Sequence, residues 1–165
     1  MRAIFPASFD PFTNGHLDLA ERACALFDEL VLAVYQRPEK QLLFSWQERL
    51  DLARASTLHL TNIRIEGFTG LMVEYARGIG ASVVVRGLRV GSDFEAELLY
   101  ATANRILAPD LETICLISNP EYTFISSSRV KEIALLGGDV SSMVPPPVQV
   151  RLARLVGERR SESAR

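Results

Sequence analysis

Residues 3–16 decide the fold, and they spell Ala3-Ile4-Phe5-Pro6-Ala7-Ser8-Phe9-Asp10-Pro11-Phe12-Thr13-Asn14-Gly15-His16. Ala3 to Phe5 predict a strand, and a helical pattern opens at Gly15-His16, for which we expect Asn14 to be the N-cap. His16 then lies in the first turn, where unpaired amide N–H groups and the helix dipole favour phosphate. The alternative is an ordinary turn at Asp10-Pro11 and a surface role for His16.

Length and composition indicate one globular domain. The 165 residues are 48% hydrophobic and 23% charged, and the formal net charge is −2, which gives no electrostatic reason to expect nucleic acid as a partner. The longest apolar run, Leu30 to Tyr35, is too short to span a bilayer, and residues 1–10 lack the apolar segment of a signal peptide. We therefore expect a cytoplasmic protein with no membrane partner.

The apolar pattern predicts an α/β fold. Leu30 to Tyr35 is a continuous apolar run, as expected of a strand covered on both faces in a parallel sheet. Further strands are predicted at Ile63–Phe68, Ser82–Val85 and Thr113–Ile117. Helices are predicted after His16, from Ser45 to about Leu60, over Leu71–Ile79, from Ser92 to Leu107, after Ser126 and over Val148–Val156. We expect a single-domain, Rossmann-like, open parallel five-stranded sheet with helices on both faces over residues 1–157, and a frayed polar tail over 158–165.

Unusual polar residues follow these strands, and ligands of such sheets bind beyond the carboxyl ends of the strands. The residues concerned are Ser8 and His16, Lys40, Met72, Arg86 and Arg89, and Ser126 to Ser128. Taken singly, Lys40 can be a solvated lysine, Met72 a core residue and the serines a helix N-cap. Arg86 ends a Val-Val-Val strand, where an arginine has few roles without an anion. Together these side chains suit a polyphosphate.

Other signals are absent or carry little. Neither Gly-x-x-x-x-Gly-Lys-Ser/Thr nor Gly-x-Gly-x-x-Gly follows the first strand, so a P-loop kinase or a typical dinucleotide dehydrogenase is not supported. Cys24 and Cys115 are expected to be buried thiols without a redox or metal role. His59 is interpreted as a C-terminal cap of its helix.

Several motifs resemble a known family. Ser8-Phe9-Asp10-Pro11 followed by Thr13-Asn14-Gly15-His16 resembles the nucleotidyltransferases with a Thr/His-x-Gly-His motif. Arg86-Gly87-Leu88-Arg89 with Asp93-Phe94-Glu95-x-Glu97, and Ile125-Ser126-Ser127-Ser128-Arg129, narrow the resemblance to the pantetheine-phosphate adenylyltransferases. That resemblance implies transfer of the adenylyl group of ATP to 4'-phosphopantetheine with Mg²⁺ as cofactor, giving dephospho-coenzyme A and pyrophosphate by direct in-line attack. It also implies a homo-hexamer and feedback binding of coenzyme A.

The resemblance also implies roles for individual residues. His16, Lys40 and Arg86 would be catalytic. The residues that would bind ATP are Ser8, Phe9, His16, Gly87, Leu88, Arg89, Glu97, Tyr122, Thr123, Phe124, Ile125, Ser126, Ser127 and Ser128. Those that would bind phosphopantetheine are Ser8, Lys40, Met72 and Arg86, and no protein side chain is assigned to the metal. Ala7, Ser8 and Tyr122 depart from the commonest residues of the family at their positions. Alternatives are another nucleotidyltransferase, acting on nicotinamide mononucleotide or an alcohol phosphate, and a non-catalytic nucleotide sensor.

Overall fold

The structure is a computed structural model that describes residues 1–38 and 41–163. Within these residues the strands are β1 (Arg2–Ala7), β2 (Glu29–Tyr35), β3 (Ile63–Phe68), β4 (Val83–Leu88) and β5 (Glu112–Ile117). The helices are α1 (Asn14–Leu26), α2 (Trp46–Ser56), α3 (Met72–Gly78), α4 (Gly91–Leu107), α5 (Ser127–Leu135) and α6 (Pro146–Ser163), with a 3₁₀ turn over Pro120–Tyr122.

The five strands form one sheet in the order β3-β2-β1-β4-β5, and every pairing is parallel. The chain winds outward from β1 to β3, then crosses back to place β4 on the other side of β1. The strand order therefore reverses between β1 and β4, where the ends of neighbouring strands diverge and leave a crevice. The predicted Rossmann-like parallel sheet is confirmed.

Apolar side chains cover both faces of the central strands. Leu30 to Val34 of β2 are fully buried, as the continuous apolar run predicted. One core cluster includes Phe5, Leu32 and Leu152, and a second on the other face includes Ile4, Val31 and Val84. Cys115 on edge strand β5 is exposed, so its predicted burial is wrong, whereas Cys24 is half-buried.

Some predicted helix ends are wrong. Thr13, not Asn14, is the N-cap of α1, and Val90 is the N-cap of α4, so that helix begins at Gly91 rather than at Ser92. α2 ends at Ser56 rather than near Leu60, and its C-cap is Thr57. His59 lies beyond this C-cap and is not itself a cap, and its Nε2 lies 2.8 Å from Glu21 Oε1 of α1.

The last helix is longer than predicted. α6 begins at Pro146 and continues to Ser163, through most of the segment expected to be a polar tail. Pro146 and Pro147 lie in its first turn, where a missing N–H removes no helical hydrogen bond. The described chain contains no helix long and apolar enough to cross a membrane.

Candidate active site

The loop between β1 and α1 fixes the orientation of His16. Thr13 Oγ1 accepts a hydrogen bond from the His16 backbone N–H, and Thr13 N–H donates to His16 Nδ1 at 3.0 Å. Since Nδ1 accepts this bond, the proton of a neutral ring lies on Nε2, which is then a hydrogen-bond donor. The ring packs against Phe5, Phe9 and Phe12. The capping box thus determines both where the imidazole lies and which nitrogen donates.

Phe9 has an unusual backbone for an L-residue. Its φ is +49°, in the left-handed region, while its side chain is buried. Such a conformation persists only where the surroundings impose it, and it is frequent at ligand sites. Two buried groups, Arg49 and Asp10, flank this residue.

Asp10 is fully buried and joins three segments of the chain. Its carboxylate accepts hydrogen bonds from the backbone N–H groups of Leu43 and Phe44 and forms an ion pair with Lys131 of α5 at 2.9 Å. Lys131 also donates to Gln41 O at 3.3 Å. The network connects the β1–α1 loop and α5 to the segment that follows Lys40. Lys40 itself lies outside the described residues.

Arg49 holds the same loop from α2. Its Nη1 donates to Ser8 O at 2.7 Å and to Tyr35 O at 2.8 Å, and Nη2 donates to Gln36 O at 3.0 Å. Sequence patterns missed this residue, because an arginine in a helix is normally assigned to the solvent face. The available signal was its place beside Leu50 on the side of α2 that also carries Ala53.

Arg86 lies in β4 rather than after it, and its anion within the described chain is Glu97. Arg86 Nε and Nη2 donate to the two carboxylate oxygens of Glu97 at 2.7 and 2.6 Å, and Nη1 donates to Pro6 O at 3.0 Å. A bidentate pair of this kind fixes the plane of the guanidinium. Sequence reasoning assigned these two residues to different ligands and did not predict that they pair.

Arg89 is held where β4 passes into α4. Its guanidinium pairs with Asp93 and donates to Ile125 O at 3.1 Å. Burial works to raise the pKa of Asp93, but hydrogen bonds from the Arg89 side chain and backbone outweigh it and place that pKa below its usual range. Arg89 thereby joins α4 to the segment before α5.

The serines at the start of α5 have divided roles. Ser126 is the N-cap and accepts from the backbone N–H of Arg129, while Ser127 Oγ donates to Pro11 O at 2.9 Å. The predicted helix start is confirmed. The N-terminus of α5 therefore lies against the same β1–α1 loop that carries His16.

These elements enclose a polar cavity of about 410 Å³ at the β1–β4 crevice. Of the residues predicted to bind ATP, those that line it are Ser8, Phe9, His16, Gly87, Arg89, Glu97, Tyr122, Ile125, Ser126, Ser127 and Ser128. Leu88, Thr123 and Phe124 do not line it. Leu88 O accepts from Ser118 N, Thr123 Oγ1 donates to Pro120 O, and Phe124 is exposed. Burial is the main cause that raises the pKa of Tyr122, and nearby carboxylates add to it.

A second cavity of about 430 Å³ adjoins the first. Its wall is mainly apolar and includes Met72, Tyr35, Phe68, Leu71 and Tyr100. The two cavities share Ala7, Ser8, Arg86 and Glu97. Ser8, Met72 and Arg86, predicted to bind one substrate, therefore line one cavity, and two of them stand at its junction with the other.

The described residues contain no group of three or more His, Cys, Asp or Glu side chains placed to hold a metal ion. The carboxylates of the polar cavity, Asp93 and Glu97, are both engaged by arginines. Mg²⁺ is commonly bound through substrate phosphates and water rather than an all-protein cage. The donor set fits a metal ion that enters with a nucleotide.

Comparison with known proteins identifies the family to which the chain belongs. A cytidylyltransferase-like family model matches residues 4–133. The chain is 52% identical over 157 residues to a phosphopantetheine adenylyltransferase of Roseiflexus sp. (strain RS-1), covering 95% of this chain and 98% of that protein. It is 55% identical over 150 residues to the one from Herpetosiphon aurantiacus, covering 91% of each chain, and 50% identical over 161 residues to that of Ralstonia nicotianae, covering 98% and 96%.

A solved structure shares the fold at lower sequence identity. It is a Vibrio parahaemolyticus protein provisionally assigned as a nicotinate-nucleotide adenylyltransferase, 17% identical, with a TM-score of 0.67 over 92% of this chain and 97% of that one. At that identity the likeness concerns the fold alone. The extent and identity of the other matches show that the chain is a member of the cytidylyltransferase-like family and, within it, of the phosphopantetheine adenylyltransferases.

Proposed function

We propose that this enzyme transfers the adenylyl group of ATP to 4'-phosphopantetheine, giving dephospho-coenzyme A and pyrophosphate in coenzyme A synthesis. The observation that carries the proposal is the pair of adjoining cavities, one polar and one mainly apolar, that share Ser8, Arg86 and Glu97. A nucleoside triphosphate suits the polar cavity, and a pantetheine arm suits the apolar one. Their phosphates would meet at the shared wall.

The reaction needs little covalent help from the protein. The second pKa of a phosphate monoester is about 6, so the nucleophile is largely dianionic at neutral pH without a strong general base. One of its oxygens attacks the α-phosphorus of ATP in line while the bond to the β-phosphate oxygen breaks, and pyrophosphate leaves with that electron pair. Positioning and charge stabilisation carry such a step.

We assign His16 the role of stabilising charge on the α- and β-phosphates. Its Nδ1 is engaged by Thr13, so Nε2–H is the donor that can face a phosphate oxygen. Ser8 and the Phe9 backbone line the same wall. We assign these three groups to the reacting phosphates of ATP.

We assign Arg86 the role of an oriented phosphate-binding group, which is more specific than the role of an isolated cation. Paired with Glu97, it is oriented at the junction of the cavities and can contact a phosphate without losing its carboxylate partner. Lys40 would add a second cation from the loop after β2, and Met72 would contact the pantetheine arm. Mg²⁺ held by the ATP phosphates and water would supply neutralisation of phosphate charge.

We also propose how the protein assembles and how it is regulated. α4 and β5 expose Leu99, Ile106 and Ile117 by 72–77%, and exposed apolar surface of this extent favours burial against another copy. We propose a homo-hexamer, measured by light scattering, and a cytoplasmic location, measured by cell fractionation. We further propose that coenzyme A binds the enzyme as a feedback regulator, and calorimetry would measure this binding.

The decisive assay for the reaction follows pyrophosphate release. Purified protein with Mg²⁺ and ATP should release pyrophosphate with 4'-phosphopantetheine, and dephospho-coenzyme A should form in equal amount. Nicotinamide mononucleotide and a simple alcohol phosphate serve as control acceptors. Equal or faster release with either control, or none with 4'-phosphopantetheine, would reject the proposed substrate.

A further inference from the structure

Arg49 is the largest fully buried side chain among the described residues. Its three hydrogen-bond partners are backbone carbonyls, those of Ser8, Tyr35 and Gln36. Burial lowers the pKa of its guanidinium, and the charge of nearby Asp10 opposes that shift. Taking a charge out of water to bind neutral carbonyls carries a desolvation cost. The three hydrogen bonds of Arg49 hold the β1–α1 loop against the end of β2.

The carbonyl of Ser8 determines where the next amide points. In a trans peptide the C=O and N–H groups lie on opposite sides of the bond. Arg49 donates a hydrogen bond to Ser8 O but does not line either cavity, whereas Ser8, Phe9 and His16 line the polar one. The Phe9 N–H is therefore turned away from Arg49, toward the side on which the polar cavity lies.

The positive φ of Phe9 shows why this orientation needs to be held. At +49° the residue occupies a region that is unfavourable for an L-amino acid. A half-turn of the Ser8–Phe9 peptide would change φ by about 180° and bring it to a negative value, which L-residues favour. It would also turn the N–H inward and present a carbonyl oxygen to the cavity, where it would repel phosphate.

We propose that Arg49 is a positioning residue for adenylyl transfer: its guanidinium holds the Ser8–Phe9 peptide so that the Phe9 N–H donates to the reacting phosphates. The inference rests on the proposed function for its catalytic meaning. By also binding Tyr35 O and Gln36 O, Arg49 sets the distance between this phosphate-binding loop and the chain that leads to Lys40.

The first test uses the unaltered protein and needs no catalysis. In ¹H–¹⁵N spectra, titration with pyrophosphate should move the Phe9 amide resonance downfield, as expected for a new hydrogen bond to an anion. The amide of Asp51, exposed on α2, is the internal control and should not move. A Phe9 resonance that stays in place at saturating pyrophosphate overturns the inference, even where pyrophosphate release confirms the reaction.

The second test separates positioning from stability. Arg49→Met should lower kcat about 10²–10³-fold, the usual loss for one preorganised donor, while both KM values change only a few-fold. Leu152→Ala, which opens a cavity in the core at α6, is the control for a general loss of stability and should keep kcat within about threefold. A kcat for Arg49→Met that falls no more than in this control, per folded molecule, overturns the inference.

Arg49→Lys provides a second test in case Arg49→Met does not fold. An ammonium group can reach Ser8 O but lacks the planar fork that binds three carbonyls at once. We expect an intermediate loss of kcat, about tenfold, and a smaller shift of the Phe9 amide with pyrophosphate. The proposal is contradicted if Arg49→Lys keeps full kcat and its Phe9 amide moves with pyrophosphate as far as in the unaltered protein.

Discussion

The ion pair between Asp10 and Lys131 offers the sharpest stability prediction. Asp10 is fully buried, the Lys131 side chain is 18% exposed, and their charged atoms lie 2.9 Å apart. In Asp10→Asn, Oδ1 can still accept hydrogen bonds from the Leu43 and Phe44 N–H groups. The carboxylate oxygen that faces Lys131 is replaced by an amide NH₂, which cannot accept a hydrogen bond from the ammonium group. The half-buried lysine then loses its counter-charge.

Breaking a buried ion pair by removing one partner costs about 3–5 kcal/mol. Lys131 can partly recover hydration, so we take the lower end, about 3 kcal/mol, for Asp10→Asn. For a protein of this length that lowers Tm by about 6–12 °C. Lys131→Met leaves the Asp10 carboxylate with two backbone donors, and its cost should be similar but slightly smaller.

The assay is a double-mutant cycle in urea at one protein concentration, because assembly makes stability concentration-dependent. The double variant Asp10→Asn/Lys131→Met should lose little more than either single variant, which gives a coupling energy of about 2 kcal/mol. Asp51→Asn removes the exposed partner of Arg54 and should change stability by under about 0.5 kcal/mol. Additive losses in the cycle, within about 0.5 kcal/mol, would refute the reasoning.

Three further predictions concern other parts of the molecule. His16→Ala should lower kcat about 10²–10³-fold with much smaller changes in either KM; near-normal turnover in the pyrophosphate assay would remove its assigned role. Gly67→Ala places a Cβ in steric clash with the Trp46 ring, so it should cost about 1–3 kcal/mol and shift the fluorescence of this sole tryptophan; an unchanged spectrum would contradict the packing. The Tyr75 hydroxyl donates to Glu66 at 2.6 Å and is the first cause that lowers the pKa of that carboxyl. That stabilisation is present above the ordinary glutamate pKa and lost as pH falls through the lowered one, so Tyr75→Phe should cost about 1 kcal/mol at pH 7 and less near about pH 3.5. Equal losses in urea at both pH values would disprove the assignment.

The sheet was predictable because burial on both faces leaves a direct trace in the sequence. Leu30 to Val34 cannot alternate with polar residues when helices cover both sides, so the run itself indicates a central parallel strand. Strand order is set by long-range packing, for which the local pattern holds no information. The meeting of Ser8, Arg86 and Ser127 was predicted only because parallel strands end at one edge.

The errors have local physical causes. Thr13 and Asn14 can both cap a helix, and the choice depends on His16, whose ring returns a hydrogen bond to Thr13 N–H. The helical period of α4 was predicted correctly, but period alone does not show that much of its apolar surface is exposed. Arg49 was missed because its role depends on carbonyls from β2 and from the loop after β1, which a helical pattern cannot reveal.

The central claim is that two adjoining cavities hold the two halves of one reaction, and a crystal structure with dephospho-coenzyme A tests it most directly. The adenylate half should occupy the cavity beside His16, Arg89 and Ser127, and the pantetheine half the cavity beside Met72. The diphosphate bridge should cross between them near Ser8 and Arg86. A product bound elsewhere, or with both halves in one cavity, would contradict the account.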